Sequence, residues 1–164
     1  MTTEKRPGMS RRHLLTTAAI GVPAMGVLAA TNVLGAAPAN AKISVDGWWG
    51  GGTTEAFKRF LCQVVAPGAK VRDKGRIQSQ PASTGDQSPG LTPDGWDWVP
   101  DEGAHGSEVV DLMQYWLGAP RDGLMGPTTI RALQSHYGLT MDGVLDGPSP
   151  AITALQEELA RHGY

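Results

Sequence analysis

The side chains able to do chemistry are few and poorly spaced for it. Beyond the first 41 residues the histidines are His105, His136 and His162, and the single cysteine is Cys62. None of the histidines has the His-x-x-x-His spacing that sets two ligands on one helix face, and one cysteine cannot build a thiolate cluster. Gly-x-Ser-x-Gly, the turn that exposes a nucleophilic serine, is absent. Gly50-Gly51-Gly52-Thr53-Thr54 has the glycines of a phosphate loop without its lysine. Asp94, Asp97, Asp101 and Glu102 lie near enough in sequence to suggest the carboxylate pair of a glycosidase. They sit, however, in a Pro/Gly-rich stretch with no periodicity, which reads as a solvated acidic loop. Asp46, Asp122 and Asp142 each precede glycine, a pairing that makes turns far more often than cation sites. Cys62 cannot form an internal disulfide and behaves as a small hydrophobe when buried. The sequence therefore predicts no catalytic residue, no metal and no cofactor.

The elements expected to position the remaining residues are turns followed by short helices. Asp46-Gly47-Trp48-Trp49-Gly50 aligns without a gap on Asp122-Gly123-Leu124-Met125-Gly126, and the match runs on to Lys58 and Gln134. A looser copy starts at Asp142-Gly143-Val144-Leu145-Asp146 with extra residues before Ala154-Leu155-Gln156, and Asp73-Lys74-Gly75 is a degenerate fourth. Self-similarity of this kind marks a repeat-built fold. Thr53, Thr129 and Ser149 are the expected helix N-caps, with Pro150 at a first helical position. Ile130, Leu133 and Tyr137 share a helix face, as do Ile152, Leu155 and Leu159. A further helix is expected from Ser107 to Leu117, and Gly118, Gly138 and Gly163 are its and its neighbours' stop signals. The stretch 78–106 is rich in Pro, Gly, Ser and Asp and reads as linker, although Trp96 and Trp98 argue that part of it packs back onto a helix.

The first 41 residues read as an address. Ser10-Arg11-Arg12-His13-Leu14-Leu15 precedes an Ala/Gly/Val-rich run from Ala18 to Ala30, and Ala39-Asn40-Ala41 supplies a cleavage pattern. The paired arginines resemble the twin-arginine export motif, and the apolar run is short and weak for a membrane span. The chain carries 14 basic and 16 acidic residues, of which Lys5, Arg6, Arg11, Arg12 and Glu4 lie in the leader, so the rest is acidic at a net −5. That balance gives no reason to expect nucleic acid or an anionic membrane surface as partner.

Gly106-x-x-Val109-Val110-x-x-x-Gln114-x-x-Leu117, followed by Asp122-Gly123-x-x-Gly126-x-x-Thr129-x-x-Ala132-Leu133-Gln134 and Gly138-Leu139-x-x-Asp142-Gly143-Val144, resembles the small three-helix peptidoglycan-binding domains of cell-wall hydrolases and endolysins. Residues 42–80 resemble a partial second copy without its own leading helix. The sequence departs from the family pattern at Leu145-Asp146-Gly147-Pro148-Ser149, where a simpler Gly-x-x-Thr is usual, and at Phe57-Lys58, where the glutamine is missing. The resemblance implies an all-α bundle with Asp-Gly turns, organised as leader 1–41, partial repeat 42–80, linker 81–105 and complete domain 106–164. It implies a secreted, cell-wall-located binding protein whose partner is peptidoglycan, with a separate cell-wall hydrolase as a possible associate and no membrane attachment after export. Trp48, Gln114, Arg131 and Gln134 are the candidate ligand contacts, since aromatic faces, amides and guanidinium suit sugars and stem peptides. For Gln114, Gln134 and Gln156 the competing role is to brace the adjacent turn, and for Arg131 it is solvated surface. A secreted protein–protein or inhibitor module on the same scaffold is the rival reading.

Overall fold

The computed structural model describes residues 42–164; the expected leader, 1–41, lies outside the described residues. Helix α1 (Gly51–Phe60) follows the first Asp-Gly turn and runs on into a π-helical turn, Leu61–Val65. Then come strand β1 (Ile77–Pro81), helix α2 (Ala82–Gln87), strand β2 (Trp96–Val99) and a 3-10 turn at Asp101–Gly103. Three helices complete the chain: α3 (Glu108–Leu117), α4 (Pro127–His136) and α5 (Pro150–Arg161).

The all-α expectation does not hold. β1 and β2 pair in parallel, with Ile77 opposite Trp96, Gln80 opposite Trp98 and Pro81 opposite Val99. The 81–105 stretch expected as linker thus carries a strand and the crossover helix α2 that parallel pairing requires. The strands are invisible to a periodicity search because they are only five and four residues long. Ser79, with φ at +52°, breaks the register between Ile77 and Gln80, so inward residues fall three apart instead of two.

The core forms where this sheet meets the helices. Trp49 is fully buried, as are its aligned partners Met125 and Leu145. Its indole meets Phe57 edge-on at 5.2 Å between centroids and Trp96 at 5.1 Å, and its Nε1 donates to Thr54 Oγ1 at 3.2 Å. Trp96 Nε1 donates to the Trp49 carbonyl, so both buried indoles have their polar edge satisfied. Trp116 lies at the border of this cluster, edge-on to Phe60 at 5.3 Å.

Helix starts differ from the sequence expectation at two places. The N-caps of α1 and α4 are Gly50 and Gly126, three residues before Thr53 and Thr129. Pro127 starts α4 with its fixed φ, and the threonine hydroxyls are used in tertiary bonds instead. Ser107 does cap α3, accepting from the Val110 N–H at 3.1 Å, and Gly118 ends it in the left-handed region at φ +67°. Ser149 and Pro150 occupy the expected N-cap and first positions of α5.

Candidate functional site

The three Asp-Gly turns share one bonding pattern, centred on a buried glutamine from a helix. Gln114 Oε1 accepts from Asp122 N at 3.0 Å and Gly123 N at 2.9 Å, while its Nε2 donates to Asp122 Oδ1, the Leu124 carbonyl and Thr129 Oγ1. Gln156, on the last helix, does the same for the first turn. Its Oε1 takes Asp46 N and Gly47 N at 2.9 and 2.8 Å, and its Nε2 reaches Asp46 Oδ1, the Trp48 carbonyl and Thr53 Oγ1, each at 3.0 Å. The first turn, which has no leading helix in sequence, is therefore served by α5 from 110 residues away. Lys58 stands at the position aligned with Gln134, and its ammonium donates to the Gly75 carbonyl of the degenerate Asp73-Lys74-Gly75 turn. An ammonium replaces the missing amide there, but it supplies donors only.

Gln134 holds the third turn less completely. Its Nε2 donates to Asp142 Oδ1 at 2.6 Å and the Val144 carbonyl at 2.8 Å, and its Oε1 accepts from Gly143 N at 3.0 Å. Thr53 and Thr129 donate to the Trp48 and Leu124 carbonyls in their turns. The longer segment Asp146–Ser149 brings no threonine to the Val144 carbonyl. A crevice of about 240 Å³ lies in its place, bounded by Gln134, Asp142, Val144, Asp146, Ser149 and Ala151 among others.

These bonds set the electrostatics. The Gln134 amide, then the Val144 N–H, hold the Asp142 carboxyl below the usual carboxylate range; the Gln156 amide and the Trp48 N–H do so for Asp46. Tyr137, in contrast, is pushed up by burial and by its bond to Glu158.

Three of the four candidate ligand residues meet around the third turn. Trp48 is 40 % exposed, and its ring lies so close on Gly147 that a Cβ there would run into it. The Arg131 guanidinium rests on Gly143, within 3.2 Å of where a Cβ would stand. Gln134 lines the crevice, although it is 5 % exposed and its amide is engaged by the turn. Gln114 is apart from this group, 1 % exposed at the second turn, with both amide atoms occupied. Turn bracing is thus what the geometry of the glutamines accounts for. Sequence reasoning missed Asp146 and Ser149 as part of any site; the signal was the departure from the Gly-x-x-Thr pattern at those very residues.

The acidic loop has structural work. Asp94 accepts from Gly51 N at 2.8 Å and from Thr92 Oγ1, which caps α1 and lowers its own pKa; Asp101 accepts from Ser83 N at 3.0 Å; Asp97 lies 3.8 Å from Arg76. Among the described residues, no group of three or more His, Cys, Asp or Glu side chains is placed to hold a metal ion, and no helix is long and apolar enough to cross a membrane. No protein-family model matches the chain, and neither does any curated protein or solved structure.

Proposed function

We propose that this chain is exported through the twin-arginine route and attaches to peptidoglycan without cutting it. The observation that carries the reading is the exposed Trp48 indole lying on Gly147, beside a polar crevice bounded by Asp142, Asp146 and Ser149. A flat aromatic face takes the apolar side of a sugar ring, and the adjacent crevice is of a size for part of a stem peptide and not for a whole muropeptide. Of the four carboxylates singled out as a possible glycosidase pair, Asp94 and Asp101 accept main-chain N–H groups and Asp97 pairs with Arg76, so three of them already have structural partners. Arg131, whose guanidinium rests on Gly143 of the same turn, adds a cation for peptide carboxylates.

A second reading, attachment to a partner protein, is favoured by a different surface. Tyr115 is 56 % exposed and flanks an open groove of about 610 Å³ with Val65, Pro67, Leu112 and Arg121. One experiment separates the two. The protein is mixed with purified, protein-free sacculi, pelleted and assayed. Wall attachment predicts retention that falls about tenfold in Trp48→Ala, the loss of roughly 1.4 kcal/mol of contact, and is unchanged in Tyr115→Ala. Soluble muropeptides or reducing ends should not appear in the supernatant. Absence of retention, or release of fragments by a pure preparation, refutes the reading.

A further inference from the structure

We infer that the crevice between the third turn and the start of α5 binds a zwitterionic amino-acid centre, an ammonium and a carboxylate on one carbon. The inference rests on the wall-binding reading only for the source of that group, which in peptidoglycan is the free end of a diaminopimelate side chain.

The crevice exists because the third turn is built differently from the other two. At the first and second turns the threonine hydroxyl sits between the glutamine amide and a turn carbonyl, within 3.0 Å of the amide nitrogen in both. At the third, the crevice of about 240 Å³ stands there instead. Two walls of opposite polarity face it. One wall holds the Asp142 and Asp146 carboxylates, the first kept ionised by the Gln134 amide. The other is the N-terminus of the 12-residue helix α5. There Pro150 has no N–H, so Ala151, which lines the crevice, offers the first main-chain donor free of any acceptor within the helix.

Ser149 ties the two walls to a ligand. It is 3 % exposed, lines the crevice, and makes no capping bond to its own helix. Ser107, at the same position of α3, does make that bond. The Ser149 hydroxyl makes no hydrogen bond among the described residues and adjoins both the crevice and the helix N-terminus, where an anion is favoured.

The mixed polarity selects the ligand. A lone carboxylate, such as a terminal D-alanine, meets the Asp142 and Asp146 charges. A lone ammonium, such as a lysine side chain, meets the positive end of α5. A centre bearing both satisfies both walls, with its ammonium toward Asp142 and Asp146 and its carboxylate at Ser149 and Ala151.

The test is an amide NMR titration of the full chain with three probes of one carbon skeleton: meso-diaminopimelate, its diamide, and pimelate. The expected result is a saturable shift at Gly143, Asp146 and Ala151 with meso-diaminopimelate alone. Ser149→Ala and Asp146→Asn should each weaken it by about tenfold, and neither side chain makes a bond on which folding depends. No saturable shift, equal shifts with all three probes, or unchanged binding in both variants overturns the inference. Retention on sacculi is measured in parallel. Retention without diaminopimelate binding sinks this inference and leaves wall attachment standing; binding without retention does the reverse.

Discussion

Truncating Gln156 should do more damage than truncating Gln134, although the two residues are chemically the same and both buried. Gln156 makes five hydrogen bonds to the first turn, and those to Gly47 N and Thr53 Oγ1 are fully buried. Replacing it by alanine strands these groups. Water that enters can re-satisfy Asp46, which is exposed, but not the buried Gly47 N–H. With about 1 kcal/mol net for each of the two fully buried bonds and about 1–3 for the buried Gly47 N–H left unpaired, the cost is about 3–5 kcal/mol. Gln134 makes three such bonds beside an open crevice that already admits water, so its truncation should cost about 1–3 kcal/mol. A domain of this size is stable by about 5–15 kcal/mol, so both variants should remain measurable. Urea unfolding followed by tryptophan fluorescence reads the difference. At an m-value of about 1–3 kcal/mol per molar, Gln156→Ala should lower the midpoint by roughly 2 M. Gln156→Glu separates bonding from packing. It keeps shape and one acceptor, but sets a second oxygen against Asp46 Oδ1 and the Trp48 carbonyl. A packing account predicts no loss for that variant, whereas the hydrogen-bond account predicts a loss close to that of alanine. If Gln156→Ala costs no more than Gln134→Ala, or Gln156→Glu is neutral, the clasp does not hold the first turn to α5.

The paired tryptophans should behave as opposites: Trp49→Ala should cost about 3–5 kcal/mol by emptying the core, while Trp48→Ala, truncating an exposed ring, should leave the thermal midpoint within a few degrees. Thermal unfolding checks this, and an unstable Trp48→Ala with a stable Trp49→Ala would mean that the two positions are exchanged. Acid should loosen the turns, because Asp46 and Asp142 have folded pKa values below the ordinary value of about 3.9. The linked stability is fully present above that value and is lost as pH falls through the lower folded pKa, so unfolding midpoints should be level from about pH 5 to 7 as far as these groups are concerned and fall below about pH 4. Circular dichroism melts across that range test it, and an Asp46→Asn/Asp142→Asn double variant with an undiminished acid slope would refute the assignment.

Much of the helical part was legible because its causes are local. Asp-Gly makes a turn through its own backbone, apolar residues three and four apart give a helix one buried face, and Gly118 ends α3 by a left-handed φ. These act within a few residues, so alignment of the copies was enough to separate Trp49 from Trp48 and to group it with Met125 and Leu145. The missing leading helix of the first copy was legible too, but not what replaces it.

What only the tertiary structure decided are the partners. An amide on a helix face looks the same in sequence whether it meets a ligand or a turn. Gln114, Gln134 and Gln156 were resolved only when each met an Asp-Gly turn, in one case 110 residues away. The parallel pairing of β1 and β2 depends on Ile77 finding Trp96, and strands of five and four residues carry too little pattern to announce a non-local partner. Thr129 reads as a cap by position, yet Pro127 sets the helix start and a neighbouring glutamine claims the hydroxyl. The crevice is the extreme case. It comes from residues the third turn has and from a threonine it lacks. Only the packing of α5 against that turn shows that the space is left open, because an empty volume has no residue of its own to mark it.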